Sequence, residues 1–395
     1  MIDAPEKRAI IAGLGISPIG RRTGTAALAL TTQSCRDAIA DAGLDAADID
    51  GISTLGDVPV EHAAAALGID PHYWGGGFET GGLLAPVMGA CLAVASGRAR
   101  NVLVYRTVQM MGGTIIETAD AGAVGSAPGR ISGDAAGVEA AMGDMAPLLA
   151  AHAYSAANWL AMHCQRHMHL YGTTKEQLGA LAITSRQNAR LNPLAVLRDP
   201  LTMGDYLSAR TVSSPLSLLD CDIPVDGSIA VVVSHVERAH DGPSWPIRVE
   251  AIGGAAGAPT GWVSRPDYPK MASVEAAAQM WSRTDLTAAD LDIAELYDGF
   301  TFLTVAWLEA LGICGDGEGG PFMEGGSRIA LDGALPLNTY GGQLSAGRMH
   351  GYWVLYEACL QLRGRAGARQ VTPQPEVAVV SNGGGPIAGC MLLTR

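Results

Sequence analysis

The sequence predicts an α/β fold made of two related halves, on three observations: a repeated segment, an alternation of apolar runs with amphipathic stretches, and an abundance of small residues. Leu44-Asp-Ala-Ala-Asp-Ile-Asp50 returns as Leu286-Thr-Ala-Ala-Asp-Leu-Asp292, each time after an amphipathic helical pattern (residues 27–42 and 274–281) and before an apolar run. A second echo follows in the same order: the small-residue stretch 81–97 leads to Ala99-Arg100-Asn101-Val102, and 341–362 leads to Ala368-Arg369-Gln370-Val371. With 51 Gly and only 4 Phe, 7 Trp and 10 Tyr in 395 residues, helices and strands are expected to approach closely.

The first half is placed at residues 1–245 and the second at 246–395. Strands are expected at 9–14, 51–55 and 101–105 in the first half and at 247–252, 293–296 and 376–380 in the second, with a further run at 229–234. Alternation with helices favours parallel pairing. The insertion 107–226 is too long to be a single loop. Its part 112–143, rich in Gly, Ala and Met, is expected to cover a cleft, and 152–188 is helical in pattern. Residues 80–97 are uncharged, but Pro86 and four glycines make them a buried central helix rather than a membrane span.

A net charge of −13 leaves no basic face for a phosphate backbone, so nucleic-acid binding is excluded. The seven cysteines are scattered without paired spacing, which suits a reduced, cytoplasmic protein, and residues 1–8 lack an export signal. His163, Cys164, His167 and His169 are a helix face ending at Tyr171-Gly172, not a metal site, since no third ligand is fixed by the pattern. The glycine clusters at 75–77, 81–82, 341–342 and 383–385 match neither a dinucleotide turn nor a P-loop. They suit backbone N–H groups brought close to a developing oxyanion.

Read with the duplication, nearly the whole chain resembles the thiolase superfamily, above all the thiolases of sterol-carrier-protein and lipid-transfer type. The resemblance is carried in order by residues 9–15 (AIIAGLG), Asn192-Pro193, residues 214–220 (SPLSLLD) followed by Asp226-Gly227, Tyr297-Asp298-Gly299-Phe300, Gly341-Gly342 before Gly347, and Gly383-Gly384-Gly385. It implies a five-layered αβαβα arrangement of two α/β halves with an inserted cap. Where the family has its nucleophilic Cys, at the entry of the central helix, this chain has Phe78-Glu79-Thr80-Gly81. Cys91 lies deep in the helix. The family's basic His positions read Tyr297 and Arg348, and its second Cys position reads Ser381. An acyl-cysteine Claisen condensation is therefore excluded.

Two phenols, Tyr297 and Tyr340, stand on the motif positions instead. This is similar to the thiolase-like aldolases of sterol side-chain degradation, and implies retro-aldol cleavage of a β-hydroxyacyl-CoA, a steroid side-chain thioester, to a ketone and a shorter acyl-CoA such as propionyl-CoA. One tyrosine would deprotonate the alcohol and the other protonate the enolate. Tyr340 is taken as base and Tyr297 as acid, an order the sequence does not fix. Asp298 and His350 would orient or tune them, and Gly384 and Gly385 would supply oxyanion N–H groups. The resemblance further implies a homodimer formed through strand 101–105. A small OB-fold and zinc-ribbon partner would complete a heterotetramer, so that any zinc belongs to the partner and this chain carries no cofactor. Two other classes stay open: a non-catalytic acyl-CoA or lipid carrier, and a scaffold subunit.

Overall fold

The computed structural model describes residues 4–56, 58–76, 81–111, 145–239, 242–255 and 261–395. The described residues contain the strands β1 (Ala9–Ile16), β2 (Gly51–Thr54), β3 (Tyr73–Gly76), β4 (Asn101–Gln109), β5 (Thr211–Ser213), β6 (Leu216–Ser217), β7 (Asp226–His235), β8 (Ile247–Gly254), β9 (Ile293–Glu295), β10 (Val377–Gly384) and β11 (Ile387–Thr394). β5 and β6 form a separate hairpin; the others make one sheet in the order β3-β2-β4-β7-β1-β8-β11-β10-β9. The sheet narrows to a seam between β1 and β8, where only Ile10↔Arg248 and Ile11↔Ile247 pair.

On either side of the seam the same pattern runs outward. β1, β7 and β4 pair antiparallel and β4 then pairs parallel with β2; β8, β11 and β10 pair antiparallel and β10 then pairs parallel with β9. The expectation of parallel pairing thus holds only toward the outer strands. The physical reason is connection length: β10 and β11 turn within a tight hairpin, Gly384 pairing with Ile387, and a hairpin permits only antiparallel strands. β11 itself follows the triple glycine, which reads as a turn, and is not among the strands expected from the sequence.

The repeated words have repeated jobs. Asp50 accepts the N–H groups of Arg100 and Asn101 at the start of β4, each at 2.9 Å. Asp292 accepts those of Glu376 and Val377 at the start of β10, at 2.8 and 2.9 Å. The Ala-Ala-Asp within each word is a short 3-10 turn closed by a capping box. The helix before each word packs so tightly that its strand needs glycine: a Cβ on Gly13 would lie 2.0 Å from the Ala38 carbonyl, and one on Gly253 2.0 Å from the Ala276 carbonyl. The second echo is looser, since Ala99–Val102 enters β4 whereas Ala368–Val371 falls in a 3-10 turn short of β10.

Helices α1 (Ala27–Asp41) and α2 (Val60–Leu67) cover one outer face; α3 (Ala85–Ala95) enters the interior. Helices α4 (Ala156–Tyr171) and α5 (Lys175–Arg190) belong to the insertion, α6 (Ser273–Trp281) and α7 (Thr301–Ala310) cover the second half, and α8 (Tyr352–Leu362) lies inside with α3. One apolar core joins α3 and α8 to strands of both halves, through Val87, Val94, Val104, Val231, Trp353 and Val380. Two outer cores lie under α1 and α2, and under α6, α7 and the insertion helices. This is the five-layered arrangement, and the stretch 80–97 does supply a buried central helix. Among the described residues no helix is long and apolar enough to cross a membrane.

One expectation fails. Strand β4 has β2 on one side and β7 on the other, so every backbone edge at 101–105 is already paired within the chain. It has no free edge to continue a second subunit's sheet. The outermost strands are β3 and β9, and β9 is buried, with Ala294 bridged to Leu337 on its outer side. The cleft-covering role expected of 112–143 lies outside the described residues.

Candidate active site

The site grows from the ends of β9 and β10 and the glycine-rich segment before α8. Just past β9, the Leu296 N–H donates to Asn338 Oδ1 at 2.7 Å and the Tyr297 N–H to Ser381 Oγ at 3.0 Å. These two bonds fix where Tyr297 leaves the sheet. Ser381, standing where many thiolases have a second Cys, therefore holds backbone here. The next residue, Asp298, accepts the N–H groups of Gln343 at 2.9 Å and Leu344 at 3.5 Å. Its carboxylate so fills the concavity that a Cβ on Gly342 would lie 2.0 Å from Asp298 Oδ2. Gly342 also has φ +64, and the motif Gly341-Gly342 is explained by that close approach.

Tyr340 is fully buried and stacks on Trp353, with ring centroids 5.2 Å apart and planes 25° apart. Its carbonyl accepts from Asn192 Nδ2 at 2.9 Å, which accounts for Asn192 in the sequence pattern. Among the described residues its hydroxyl has no hydrogen-bond partner. Burial and the surrounding carboxylates of Asp298, Glu295 and Glu357 raise its pKa well above that of an ordinary phenol. Behind it, Glu357 forms a paired contact with Arg369 at 2.8 Å, and Thr339 Oγ1 lies 2.6 Å from Glu295 and 2.9 Å from Glu357. Burial and the Glu357 charge keep Glu295 protonated well above the usual carboxylate range.

Tyr297 is 8% exposed. Burial and then the Asp222 carboxylate push its phenol up, while Arg348 and Gln343 pull it down. Arg348 Nη1 lies 3.3 Å from Asp222 Oδ1, and its other nitrogens rest on the Met110 sulfur at 3.1 and 3.2 Å. Burial raises Asp222 to about 7 against the pull of Arg348, and Asp298 to about 6 against its backbone donors. His350 is half-buried with φ +49, its Nδ1 2.6 Å from Arg106 Nη2.

The structure thus brings Tyr297, Tyr340 and Asp298 together, whereas His350 is linked to them only through Arg348, which neighbours both His350 and Tyr297. The two glycines divide. Gly385 directs its N–H to Met271 Sδ at 2.9 Å, away from an oxyanion role, and a Cβ there would strike Trp262. Gly384, with φ +149, lies against Leu303. Sequence reasoning missed Asp222 and Arg106. Asp222 sits two residues past the SPLSLLD motif, a signal that was available; Arg106 lies inside an apolar strand with no motif around it.

Asn382 joins this site to the central helix, its Oδ1 accepting the Leu83 N–H at 2.5 Å and its Nδ2 donating to the Gly389 carbonyl at 3.2 Å. Residues 78–80, the family's nucleophile position, lie outside the described residues. Cys91 is buried inside α3 with its thiol raised to about 12 by burial, a poor nucleophile. His163 lies between the carbonyls of Trp262 and Pro269, at 2.7 and 3.0 Å, and His167 is held by Glu309 and Thr173, at 3.0 and 2.9 Å. Among the described residues no cluster of three or more His, Cys, Asp or Glu could hold a metal.

Residues 255–393 match the family model described as thiolase C-terminal domain-like. Over 98% of its length the chain is 35% identical to the 17-hydroxy-3-oxo-4-pregnene-20-carboxyl-CoA lyase of Mycobacterium tuberculosis, covering 99% of that protein. Over 97% it is 34% identical to the steroid side-chain-cleaving aldolase of Thermomonospora curvata, again covering 97% of it. The chain belongs to the thiolase superfamily, in the branch of the thiolase-like aldolases. The solved structure of an Ltp2-ChsH2(DUF35) aldolase superposes with a TM-score of 0.87 at 30% identity, covering 98% of both chains.

In this chain the SPLSLLD motif serves structure. Asp220, fully buried, accepts from Lys175, Tyr206, Ser217 (2.6 and 2.8 Å) and Thr301 (2.7 Å). It ties the insertion to the first turn of α7, next to the Tyr297-Asp298 corner, with Asp222 two residues on and close to the Tyr297 phenol.

Proposed function

We propose that this chain cleaves a steroid side-chain β-hydroxyacyl-CoA by a retro-aldol reaction, giving a ketone and a shorter acyl-CoA such as propionyl-CoA. The observation that supports this is that two buried phenols, Tyr297 and Tyr340, both have the carboxylate of Asp298 as a neighbour. The alcohol loses its proton, the Cα–Cβ bond breaks, the C–O bond becomes a ketone, and the electron pair passes to a thioester enolate that is protonated at Cα. No redox change and no covalent nucleophile is involved.

The electrostatics support the reverse of the order taken from the sequence. Tyr340 lies among carboxylates that keep its phenol protonated, so it holds the proton that the strongly basic enolate carbon takes up. Tyr297 has Arg348 nearby and the Asp222 carboxylate as its strongest charged neighbour. It serves as base by passing the alcohol's proton toward Asp222, whose pKa near 7 matches such a task. Asp298 holds the turn that places both rings.

The resemblance to a two-protein aldolase supports a partner as well: a small protein with an OB-fold and zinc ribbon that completes the CoA tunnel of a homodimer, forming a heterotetramer in the cytoplasm. The zinc would lie in the partner, and this chain would carry no cofactor. The test is incubation of the chain, with and without a co-purifying partner, with tertiary β-hydroxyacyl-CoAs, followed by mass spectrometry. Ketone and shortened acyl-CoA are expected. Binding without fragments would favour the carrier reading, and cleavage unaffected by changes at both tyrosines the scaffold reading.

A further inference from the structure

Gln343 is wholly buried, and among the described residues neither its Oε1 nor its Nε2 has a hydrogen-bond partner. The scheme above gives it no task. A side-chain amide offers two N–H donors and two lone pairs, and leaving them unpaired inside a protein is costly. In a native core such a group has a reason, and a ligand that completes it is one.

The backbone is built to put this amide where it is. Gly342–Ala346 winds as a single π turn, a rare form that recurs at functional sites. The turn is pinned along its length. Asp298 accepts the Gln343 N–H at 2.9 Å, and the Gln343 carbonyl accepts from the Ile223 N–H at 3.0 Å. Further on, the carbonyls of Ser345 and Ala346 accept from Leu197 and Val196 at 2.9 and 3.2 Å, and Ser345 Oγ accepts from Arg186 Nε at 2.8 Å.

The same segment is tied to Tyr297. The Tyr297 ring folds back over Gly299, where a Cβ would lie 2.8 Å from Tyr297 Cε1 and 3.4 Å from its hydroxyl. The Gly299 carbonyl accepts from the Asp222 N–H at 3.1 Å, and the next residue, Ile223, is the one bonded to Gln343. The Gln343 amide is near enough to the Tyr297 phenol to pull its pKa down, as a donor does. An amide nitrogen carries a second N–H for another oxygen.

We infer, on the aldolase reading, that Gln343 is a specificity-determining residue: its amide N–H donates to the substrate's β-oxygen, the one whose proton Tyr297 takes, and stays on it as that oxygen becomes the ketone. No proton or electron pair moves through the amide. The consequence is selection against thioesters without the hydroxyl. A site built to hydrogen-bond a hydroxyl rejects the analogue lacking it, because the buried polar group is then left unpaired.

The test sets two ligands against two proteins. One ligand is a tertiary β-hydroxyacyl-CoA, read by KM and by mass spectrometry of its fragments. The other is the same thioester with hydrogen in place of the hydroxyl, which retro-aldol chemistry cannot cleave, read by calorimetry. Gln343→Met keeps nearly the same volume and has no N–H. It should raise KM for the hydroxylated thioester about tenfold and bind the deoxy thioester about tenfold more tightly than the unaltered protein. A merely disturbed turn would weaken both. The unaltered protein should itself bind the deoxy thioester at least tenfold more weakly than its KM for the hydroxylated one, and equal values overturn the role of Gln343 even if the Met variant does not fold. Fragments from the unaltered protein, with both ligands shifting alike in the variant, overturn that role alone. No fragments from the unaltered protein overturn the aldolase reading, and the role of Gln343 with it.

Discussion

Tyr340 lies nearly parallel to Trp353, 5.2 Å from ring centre to ring centre, so the ring is held by stacking and the hydroxyl is left for chemistry. Tyr340→Phe keeps the stack and deletes only the O–H. Its melting temperature should stay within a few degrees of the unaltered protein, while kcat falls ~10²–10⁴-fold. With Tyr340 as the acid, exchange of solvent deuterium into Cα of the shortened acyl-CoA, supplied on its own to both variants, should slow more in Tyr340→Phe than in Tyr297→Phe.

In Tyr297→Phe, carbon–carbon cleavage itself should fail, since the alcohol keeps its proton. Substrate binding measured by calorimetry should persist. Rates unchanged in both Phe variants would make the rings packing groups and move the carrier reading ahead.

Asp222 supplies a pH dependence. Its carboxyl is raised from 3.8 to about 7, so as proton acceptor it is competent only above that range, and kcat should rise with pH through about 7. Asp222→Asn should lower kcat and remove this limb of the profile. Stability runs the other way. Between about 4 and 7 the folded protein holds a proton that the unfolded chain has released, so this residue's contribution to stability is lost as pH rises across the window. Asp222→Asn should therefore unfold at a higher temperature than the unaltered protein at pH 8.

No described cysteine should matter for turnover. Cys91→Ser and Cys390→Ser are expected to keep full activity once folding is verified, because both thiols are buried and raised by desolvation. A stable acyl adduct on either, seen by mass spectrometry of the intact protein, would contradict the mechanism.

Gly253→Ala tests the helix-to-strand packing. The new methyl would lie 2.0 Å from the Ala276 carbonyl, so the backbone of α6 must move. A loss of about 1–3 kcal/mol in denaturant unfolding is expected, without a direct effect on the site.

The duplicated halves and the phenol pair were legible because each left a mark in one dimension. Leu44–Asp50 and Leu286–Asp292 carry the same capping job, and Tyr297 and Tyr340 stand in or next to the short motifs that carry the family resemblance. Pairing direction was not legible for β11, since a triple glycine announces a turn but not the strand beyond it. The dimer edge was misread because 101–105 has the apolar pattern of a strand buried between neighbours, and pattern alone does not say who the neighbours are. Arg106 and Asp222 escaped for a different reason. Each contacts residues far away in sequence, His350 for Arg106 and Arg348 and Tyr297 for Asp222, and no local pattern encodes such a meeting.

The placement of β1 bears on how the chain is born. Its residues are made long before those of its two neighbours, β7, where His235 pairs with Ala9, and β8 after it. At ~5–20 residues per second, synthesis must run on for tens of seconds before that first strand has anything to pair with. During that time an apolar ribbon with both edges unsatisfied waits in the cell, a natural client for chaperones that shield nascent strands.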